Sequence, residues 1–280
     1  MISSILITVD VEDWFQVENF KSYIPFSSWQ SHELRVQENT YRLLDILDSR
    51  RATFFILGWL AKRFPHLVRE IRSRGHEIAS HGYYHNLCDQ QSYKELKRDM
   101  CFSKRLLEDI IGSPVTGYRA PSFSINNDIL KIIEDCGYLY DSSFNSFGMH
   151  GRYGKADFSK YDKKGIAFQI SKNFYEIPVS NLQIGNRIIP WGGGGYFRLI
   201  PSFIFKIGVR QILKKDNAYL FYMHPWEIDP DQPRVREAEI GYKFRHYVNL
   251  KRTHLKLSAI FERFNQCRFI QCQEYLKNLI

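Results

Sequence analysis

The stretch ITVDVEDWF, residues 7–15, passes from an apolar run to three carboxylates, Asp10, Glu12 and Asp13. An apolar run of this length, rich in β-branched residues, is typical of a buried strand. A buried strand that ends in several carboxylates needs cationic partners near its end, because neighbouring like charges disfavour one another's ionisation. The remaining sequence must therefore supply those partners.

Strand-like and helix-like patterns alternate along most of the chain. Runs rich in β-branched and aromatic residues, such as ATFFIL at 52–57 and AYLFYMH at 218–224, predict strands. Amphipathic periodicity predicts a helix at 65–75, which opens with proline and closes with glycine, and a longer helix that starts with a capping box of Ser92 and Glu95. This alternation predicts βαβ units and a parallel sheet. Seven or eight strand candidates favour closure of the sheet into one α/β barrel.

The composition fits a globular protein with an excess of positive charge. Hydrophobic residues make up 44% of the 280 residues, and the formal net charge is +9. This charge favours acidic partners such as a nucleic acid, a membrane surface or an anionic glycan, without choosing among them. Residues 243–256 carry five Lys or Arg and no acid, and they form either an ordinary solvated face or an anion-binding one. The sequence shows no recognised nucleic-acid-binding motif, so we expect no nucleic acid partner.

Cysteine usage and the first residues indicate a cellular compartment. The five cysteines include no CxxC pair, and an odd count does not suit a disulfide framework. The start MISSILITVD lacks a basic n-region and a cleavage site, and no stretch is as long and apolar as a membrane-spanning helix. These features predict a cytoplasmic protein.

The glycine-rich run WGGGGYF, residues 191–197, cannot form regular structure cheaply. Its backbone lies close to another part of the molecule, or it is a flexible hairpin tip. It lacks the spacing of a phosphate-binding loop, so it does not indicate nucleotide binding.

Polar residues follow strand candidates at five places in the chain. These residues are Asp10, His81, Arg119, Asp141 and His224. In a parallel barrel, such positions meet on the C-terminal face of the sheet, where sites are built. Their convergence is better evidence for a site than any one of them.

His81 and His85, in SHGYYH, are spaced as two imidazoles that face one point from a single helical turn. The HxxxH pattern is weak alone, because two surface or capping histidines give the same string. A carboxylate from the opening stretch would complete a metal site with positions left open, which is typical of catalytic centres. Alternatively, Asp10 and Asp13 each cap a helix or turn.

Three further residues each have two interpretations. Arg119 either holds a carboxylate ionised through a bidentate pair or joins a surface ion pair. His224 is either a general acid or a half-buried, hydrogen-bonded histidine. Asp141 either orients such a histidine or caps its own turn.

Five motifs, in this order, resemble those of the NodB-homology polysaccharide deacetylases, carbohydrate esterase family 4. They are TVDVEDW, SHGYYH, GYRAPSFS, YDSS and HPWEIDPDQPR. Two further segments, GGGYFRLIP at 193–201 and FRHYVNLKRT at 244–253, resemble the subgroup encoded with exosortase and exopolysaccharide loci.

The resemblance implies a fold, a cofactor and a reaction. The fold is a deformed (β/α) barrel over residues 1–240, with a basic, family-specific C-terminal extension over 241–280 packed on the same domain. The cofactor is a divalent metal, usually zinc. The reaction is hydrolysis of N-acetyl groups from an amino-sugar polysaccharide or its lipid-linked precursor, and the second substrate implies peripheral membrane contact.

The resemblance also implies roles for single residues. Asp10 becomes the general base, Arg119 its tuning partner and His224 the general acid. His81 and His85 become metal ligands. The third ligand is Glu12, if the first motif is an acid-x-acid version, or Asp13; strand alternation places Asp10 and Glu12 on one side and favours Glu12.

Aromatic residues beside the motifs, namely Trp191, Tyr196 and Trp226, are candidates for stacking on sugar rings, or they are plain packing. Two other functions remain open. One is an amidohydrolase that acts on a small non-sugar amide, and the other is an inactive carbohydrate-binding member of the same fold.

Overall fold

The opening stretch forms an interior strand of a large curled sheet. We describe it from a computed structural model, which covers residues 2–147 and 154–279. Those residues contain twelve strands: β1 (Ser4–Val11), β2 (Ala52–Ile56), β3 (Glu77–Ser80), β4 (Gly117–Tyr118), β5 (Tyr140–Asp141), β6 (Asp162–Lys164), β7 (Ala167–Gln169), β8 (Tyr175–Glu176), β9 (Asn181–Ile184), β10 (Arg187–Pro190), β11 (Ala218–Met223) and β12 (Arg268–Phe269). They also contain ten α-helices: α1 (Val36–Leu47), α2 (Gly58–Arg63), α3 (Pro65–Ser73), α4 (Tyr93–Ile111), α5 (Asn127–Asp135), α6 (Gly194–Leu199), α7 (Ser202–Asp216), α8 (Ile240–Tyr247), α9 (Leu250–Arg263) and α10 (Cys272–Lys277).

Seven strands of the sheet are parallel, in the order β11, β1, β2, β3, β4, β5, β8. β7 and β6 extend the sheet in antiparallel fashion, and β12 adds a short parallel pairing to β1. β9 and β10 form a separate hairpin. This topology confirms the predicted α/β class, and the sheet takes the form of a curled half-barrel.

β1 was recognisable in the sequence because it lies between two other strands and is buried. It pairs with β11 on one edge and with β2 on the other, and its residues from Ile5 onward are buried. Strands of a parallel sheet that are covered on both faces are continuous apolar runs. The apolar half of the opening stretch is therefore explained by the fold, and its carboxylates fall at the C-terminal end of the strand.

The free edge of β11 is covered by irregular backbone. The Leu220 amide donates to the Ser180 hydroxyl at 2.9 Å, and the Tyr222 amide donates to the Gly192 carbonyl at 2.7 Å. At Gly193, φ is 138°, and an added Cβ would lie 1.9 Å from the Tyr222 carbonyl oxygen. Only glycine fits there, which confirms that the glycine run lies close to another part of the backbone.

Several predicted elements are confirmed in detail. α3 begins at Pro65, and Gly75, just beyond its end, has a left-handed φ of 85°. The capping box of Ser92 and Glu95 starts α4. Two other expectations were wrong. His81 and His85 lie in a loop and not on a helical turn, and the glycine run does contain regular structure, because α6 begins at Gly194.

The residues after 240 pack on the sheet and its helices. β12 pairs with β1, and Leu257, Ile260 and Phe261 of α9 lie in the same hydrophobic core as β1. These contacts are those expected of an extension that shares the core, although the boundary at residue 240 stays a prediction. In the described residues, no helix has the length and apolar character needed to cross a membrane.

Candidate active site

The three carboxylates of the opening stretch point to three different partners. Asp10 is the penultimate residue of β1, and Glu12 lies two residues further on; both side chains line one cavity at the C-terminal end of the sheet. Asp13 is turned away from this cavity. All three are buried, so each needs compensation for its charge.

Asp10 forms a buried ion pair with Arg119. One guanidinium nitrogen of Arg119 donates to Asp10 Oδ1 at 2.7 Å and to the Thr8 hydroxyl at 2.8 Å. The other nitrogens donate to the carbonyl and hydroxyl of Ser142 at 2.8 and 2.9 Å. Arg119 is held at four points, so it fixes the orientation of the Asp10 carboxylate with which it pairs.

Glu12 lies at the centre of a cluster of histidines. Its Oε1 is 2.9 Å from Nε2 of His81, 2.9 Å from Nε2 of His85 and 4.0 Å from Nε2 of His224. Burial alone would raise the pKa of Glu12, but the nearby His85, His224 and His81 outweigh burial and hold that pKa well below its usual range. Glu12, His81 and His85 each offer one ligand atom within 4.8 Å of the others.

The protonation of His81 shows why this cluster fits a cation. Its Nδ1 lies 2.8 Å from the backbone carbonyl of Arg119, which can only accept a hydrogen bond. Nδ1 therefore carries a proton. A second proton on Nε2 would make the hydrogen bond that lowers the pKa of Glu12, whereas in the neutral ring Nε2 presents a lone pair to the Glu12 carboxylate. Two facing acceptors repel each other unless a positive charge lies between them, and second-shell bonding of this kind is typical of metal-binding histidines.

The loop after β3 brings His85 to the cluster. Gly82 and His85 have left-handed φ values of 71° and 55°, and the Gly82 carbonyl accepts a bond from the Gly58 amide at 2.8 Å. The Tyr83 amide donates to the Asp99 carboxylate of α4 at 2.9 Å. A non-glycine residue with positive φ is uncommon and costs free energy, so the loop is strained at the residue that reaches Glu12.

Asp13 is used in the backbone structure at the start of α1. Its Oδ2 accepts from the amides of Arg35 and Val36 at 2.8 and 3.0 Å, and its Oδ1 accepts from the Trp14 amide at 2.9 Å. The amides of Arg35 and Val36 precede and begin α1, where backbone donors lack helical partners. The structure therefore does not bring Asp13 to the histidines, and the capping alternative describes its contacts.

His224 is held by a glutamate that the sequence analysis did not single out. Its Nδ1 lies 2.9 Å from Glu227 Oε1, and Glu227 Oε2 accepts from Arg198 at 2.8 Å. Arg198 also donates to the backbone carbonyls of Arg245, His246 and Val248. Burial would lower the pKa of His224, but Glu12 and Glu227 raise it to about 9. The signal for Glu227 was its position three residues after His224, which is the spacing of a capping box.

Asp141 does not reach His224. Its two oxygens accept from the hydroxyl and amide of Ser143 at 2.6 and 3.2 Å. These bonds favour the turn-capping interpretation of Asp141.

The catalytic candidates open into a cavity of about 370 Å³, lined by Asp10, Glu12, His81, His85, Tyr196 and His224 among others. Tyr196 is the aromatic candidate best placed to contact a substrate. Trp226 lines the cavity but is sandwiched between His224 and His246, with ring centroids at 5.1 and 4.1 Å. Trp191 stacks on Phe205 in the core. The structure therefore does not support stacking of sugar rings on Trp191 or on either face of Trp226.

Comparison with known families supports this picture. A polysaccharide deacetylase family model matches residues 24–140. A second model, a domain of unknown function named DUF3473, matches residues 142–277. The deacetylase match contains His81, His85 and Arg119, whereas His224 and Glu227 lie in the DUF3473 match.

Two curated relatives are deacetylases of amino-sugar glycans. The peptidoglycan-N-acetylglucosamine deacetylase of Bacillus cereus is 32% identical over 101 residues, which are 35% of this chain and 47% of that protein. The chitooligosaccharide deacetylase of Azorhizobium caulinodans is 30% identical over 90 residues, which are 32% of this chain and 43% of that protein. The chain thus spans less than half the length of these relatives.

The crystal structure of PuuE allantoinase shares the fold. Its TM-score is 0.61 at 13% sequence identity, with 98% of this chain and 89% of that chain covered. At this identity the likeness concerns the fold alone, because one fold hosts many reactions.

Proposed function

We propose that the chain is a metal-dependent hydrolase that removes acetyl groups from N-acetylated amino sugars of a glycan. The observation that carries this proposal is the convergence of Glu12, His81 and His85 on one point of the cavity. Asp10, paired with Arg119, and His224, paired with Glu227, line the same cavity. The deacetylase family match supports the reaction type.

Glu12, His81 and His85 are the residues that would hold the divalent ion, and zinc suits a set of two imidazoles and one carboxylate. Such an ion, when bound, polarises the acetamide carbonyl and lowers the pKa of water. The facing acceptor atoms of His81 and Glu12 support this ligand set.

Asp10 is the proposed general base. Arg119 fixes the Asp10 carboxylate in a buried ion pair, so Asp10 is positioned to accept the proton of the water that attacks the carbonyl carbon. Arg119 itself is fully buried and makes four hydrogen bonds to protein groups, so it acts through Asp10.

His224 is the proposed general acid. Glu227 binds its Nδ1, which leaves Nε2 directed at the cavity. Glu12 and Glu227 raise the pKa of His224, and the Glu227 contact favours the protonated ring, which can donate to the amine as the C–N bond breaks. The products are acetate and a free amino sugar.

The substrate we propose is a polysaccharide or its lipid-linked precursor. Relatives are deacetylases of peptidoglycan and of chitooligosaccharides, which contain N-acetylated amino sugars. Assignment to the exopolysaccharide-associated subgroup rests on the two segments GGGYFRLIP and FRHYVNLKRT. The cytoplasmic location stays a prediction from the sequence.

Acetate release is the test that separates the three functions. The zinc-loaded chain is incubated with N-acetylglucosamine oligomers and, separately, with the small cyclic amide allantoin. We expect acetate from the oligomers and no ring opening. Ring opening without acetate would instead assign a small-amide hydrolase, and oligomer binding without either reaction would assign an inactive carbohydrate-binding protein.

A further inference from the structure

Helices α7 and α8 expose large apolar side chains beside the cavity. Phe203 and Ile207 of α7 are 67% and 52% exposed, and Ile240 and Phe244 of α8 are 83% and 56% exposed. Single exposed apolar residues are common, but a group of bulky ones marks an interaction surface.

Both groups of side chains begin near the cavity, since α7 starts three residues after Leu199. Phe203 and Ile207 lie four residues apart and therefore share one side of α7, and Leu199, at the end of α6, lines the same cavity as Phe244. We call this surface the α7–α8 face; it consists of Leu199, Phe203, Ile204, Ile207, Ile240 and Phe244.

Basic residues dominate the segments that carry the α7–α8 face; Asp216, the last residue of α7, pairs with Lys163, and Glu239 precedes α8. Residues 198–215 and 240–261 each include five Lys or Arg and no Asp or Glu. Arg198 is buried, but Arg210, Lys214, Lys251 and Arg252 are exposed. Arg210 and Lys214 continue the side of α7 that begins with Phe203 and Ile207, so apolar and basic groups share one surface.

We propose that the α7–α8 face docks on the headgroup region of an anionic lipid bilayer. Basic side chains gain from anionic headgroups, and bulky apolar side chains gain by insertion among the acyl chains. A water-soluble polyanion would satisfy the basic residues alone and leave the apolar ones in water, so the combination favours a bilayer. The docking itself does not depend on the proposed function. Its consequence does rest on that function: docking brings the cavity near the bilayer, within reach of a sugar on a lipid carrier.

The test is sedimentation of the purified full chain with vesicles of phosphatidylcholine, with or without phosphatidylglycerol. We expect the chain to bind vesicles that contain phosphatidylglycerol and to lose binding as salt is raised. The double variant F203S/I207S should lower the partition coefficient about tenfold or more, and R210Q/K214Q about tenfold. Matched controls are L139S and R72Q, because both residues are exposed and belong to parts of the chain other than α6, α7 and α8.

Three outcomes would overturn the proposal. The first is no binding to either vesicle type, and the second is binding that F203S/I207S leaves unchanged. The third is a dimer of the chain without vesicles that F203S/I207S abolishes, because the face would then be covered by a second copy.

Acetate release from water-soluble oligomers, measured on the same variants, keeps the two proposals apart. F203S/I207S should release acetate at the wild-type rate while losing vesicle binding. Vesicle binding by a wild-type chain that releases no acetate would uphold the docking face and overturn the proposed function.

Discussion

Three acidic residues within four positions of β1 and the following turn have three separate tasks. Asp10 pairs with Arg119, Glu12 meets the histidines, and Asp13 binds amides at the start of α1. Strand alternation predicted that Asp10 and Glu12 share a side. It could not decide the partner of Asp13, because β1 ends at Val11 and the turn beyond it no longer follows the strand period.

Glu12→Gln should therefore mainly weaken zinc binding, and Asp13→Ala should mainly lower the stability of the fold. Loss of an outer partner of a metal site already costs 10- to 100-fold in affinity, so Glu12→Gln should weaken zinc binding by about 100-fold or more. Asp13→Ala leaves buried amides unpaired and should lower the free energy of unfolding by about 1–3 kcal/mol. Zinc titration and urea unfolding of both variants measure the two effects.

Each variant is the control for the other. Zinc affinity that falls with Asp13→Ala and not with Glu12→Gln, at unchanged stability, would show that Asp13 is the third ligand.

Glu227 offers a pH test at His224. A general acid must be protonated, so activity is present below its pKa and lost as pH rises through it. Burial lowers the pKa of His224 and Glu227 helps to raise it to about 9, so Glu227→Gln should move the alkaline limb of the kcat profile to lower pH. We also expect a kcat that is lower by about 10- to 100-fold, with KM little changed.

Glu237→Gln is the matched control for Glu227→Gln, because Glu237 is exposed and lies ten residues further along the chain. If the alkaline limb of the kcat profile does not move in Glu227→Gln, His224 is not the general acid whose pKa Glu227 raises. The sequence did not reveal the ion pair of Glu227 with Arg198, because Arg198 lies 29 residues away, just after the glycine run.

At the scale of elements, long periodic segments were predictable and short irregular ones were not. α3 and α4 carry their own end signals, and β1, β2 and β11 are continuous apolar runs. By contrast, the HxxxH spacing suggested a helical turn, but the two histidines converge through left-handed φ values in a loop. Such conformations depend on tertiary contacts that a local pattern does not contain.

The glycine run is the element that covers the free edge of β11. Gly193→Ala would place a Cβ against the Tyr222 carbonyl in a backbone conformation that favours glycine. We expect a loss of about 3 kcal/mol or more in the free energy of unfolding. Urea unfolding measures it, with Gly241→Ala as the control, because nothing lies within 4 Å of a Cβ added there. Equal stability of the two variants would mean that the backbone does not approach β11 at Gly193.

At the scale of the whole molecule, the site is assembled from distant parts of the chain. β1 supplies the carboxylates, the loop after β3 supplies two histidines, and β11 leads to His224. The sequence predicted this meeting because parallel strands present their C-terminal ends at one side of the sheet. It could not predict that backbone carbonyls of residues 245–248 hold Arg198 and, through it, Glu227, since these contacts carry no residue-type signature.

The most direct test of the central claim measures bound zinc and released acetate together, for the wild type and for Asp10→Asn. The wild type should bind one zinc ion per chain and release acetate from N-acetylglucosamine oligomers. Asp10→Asn should keep the zinc ion, because Asp10 is not in the ligand set, and lose about 10²- to 10⁴-fold in rate, because the base is gone. Acetate release at the wild-type rate by Asp10→Asn, or from a wild type without bound metal, would contradict the account.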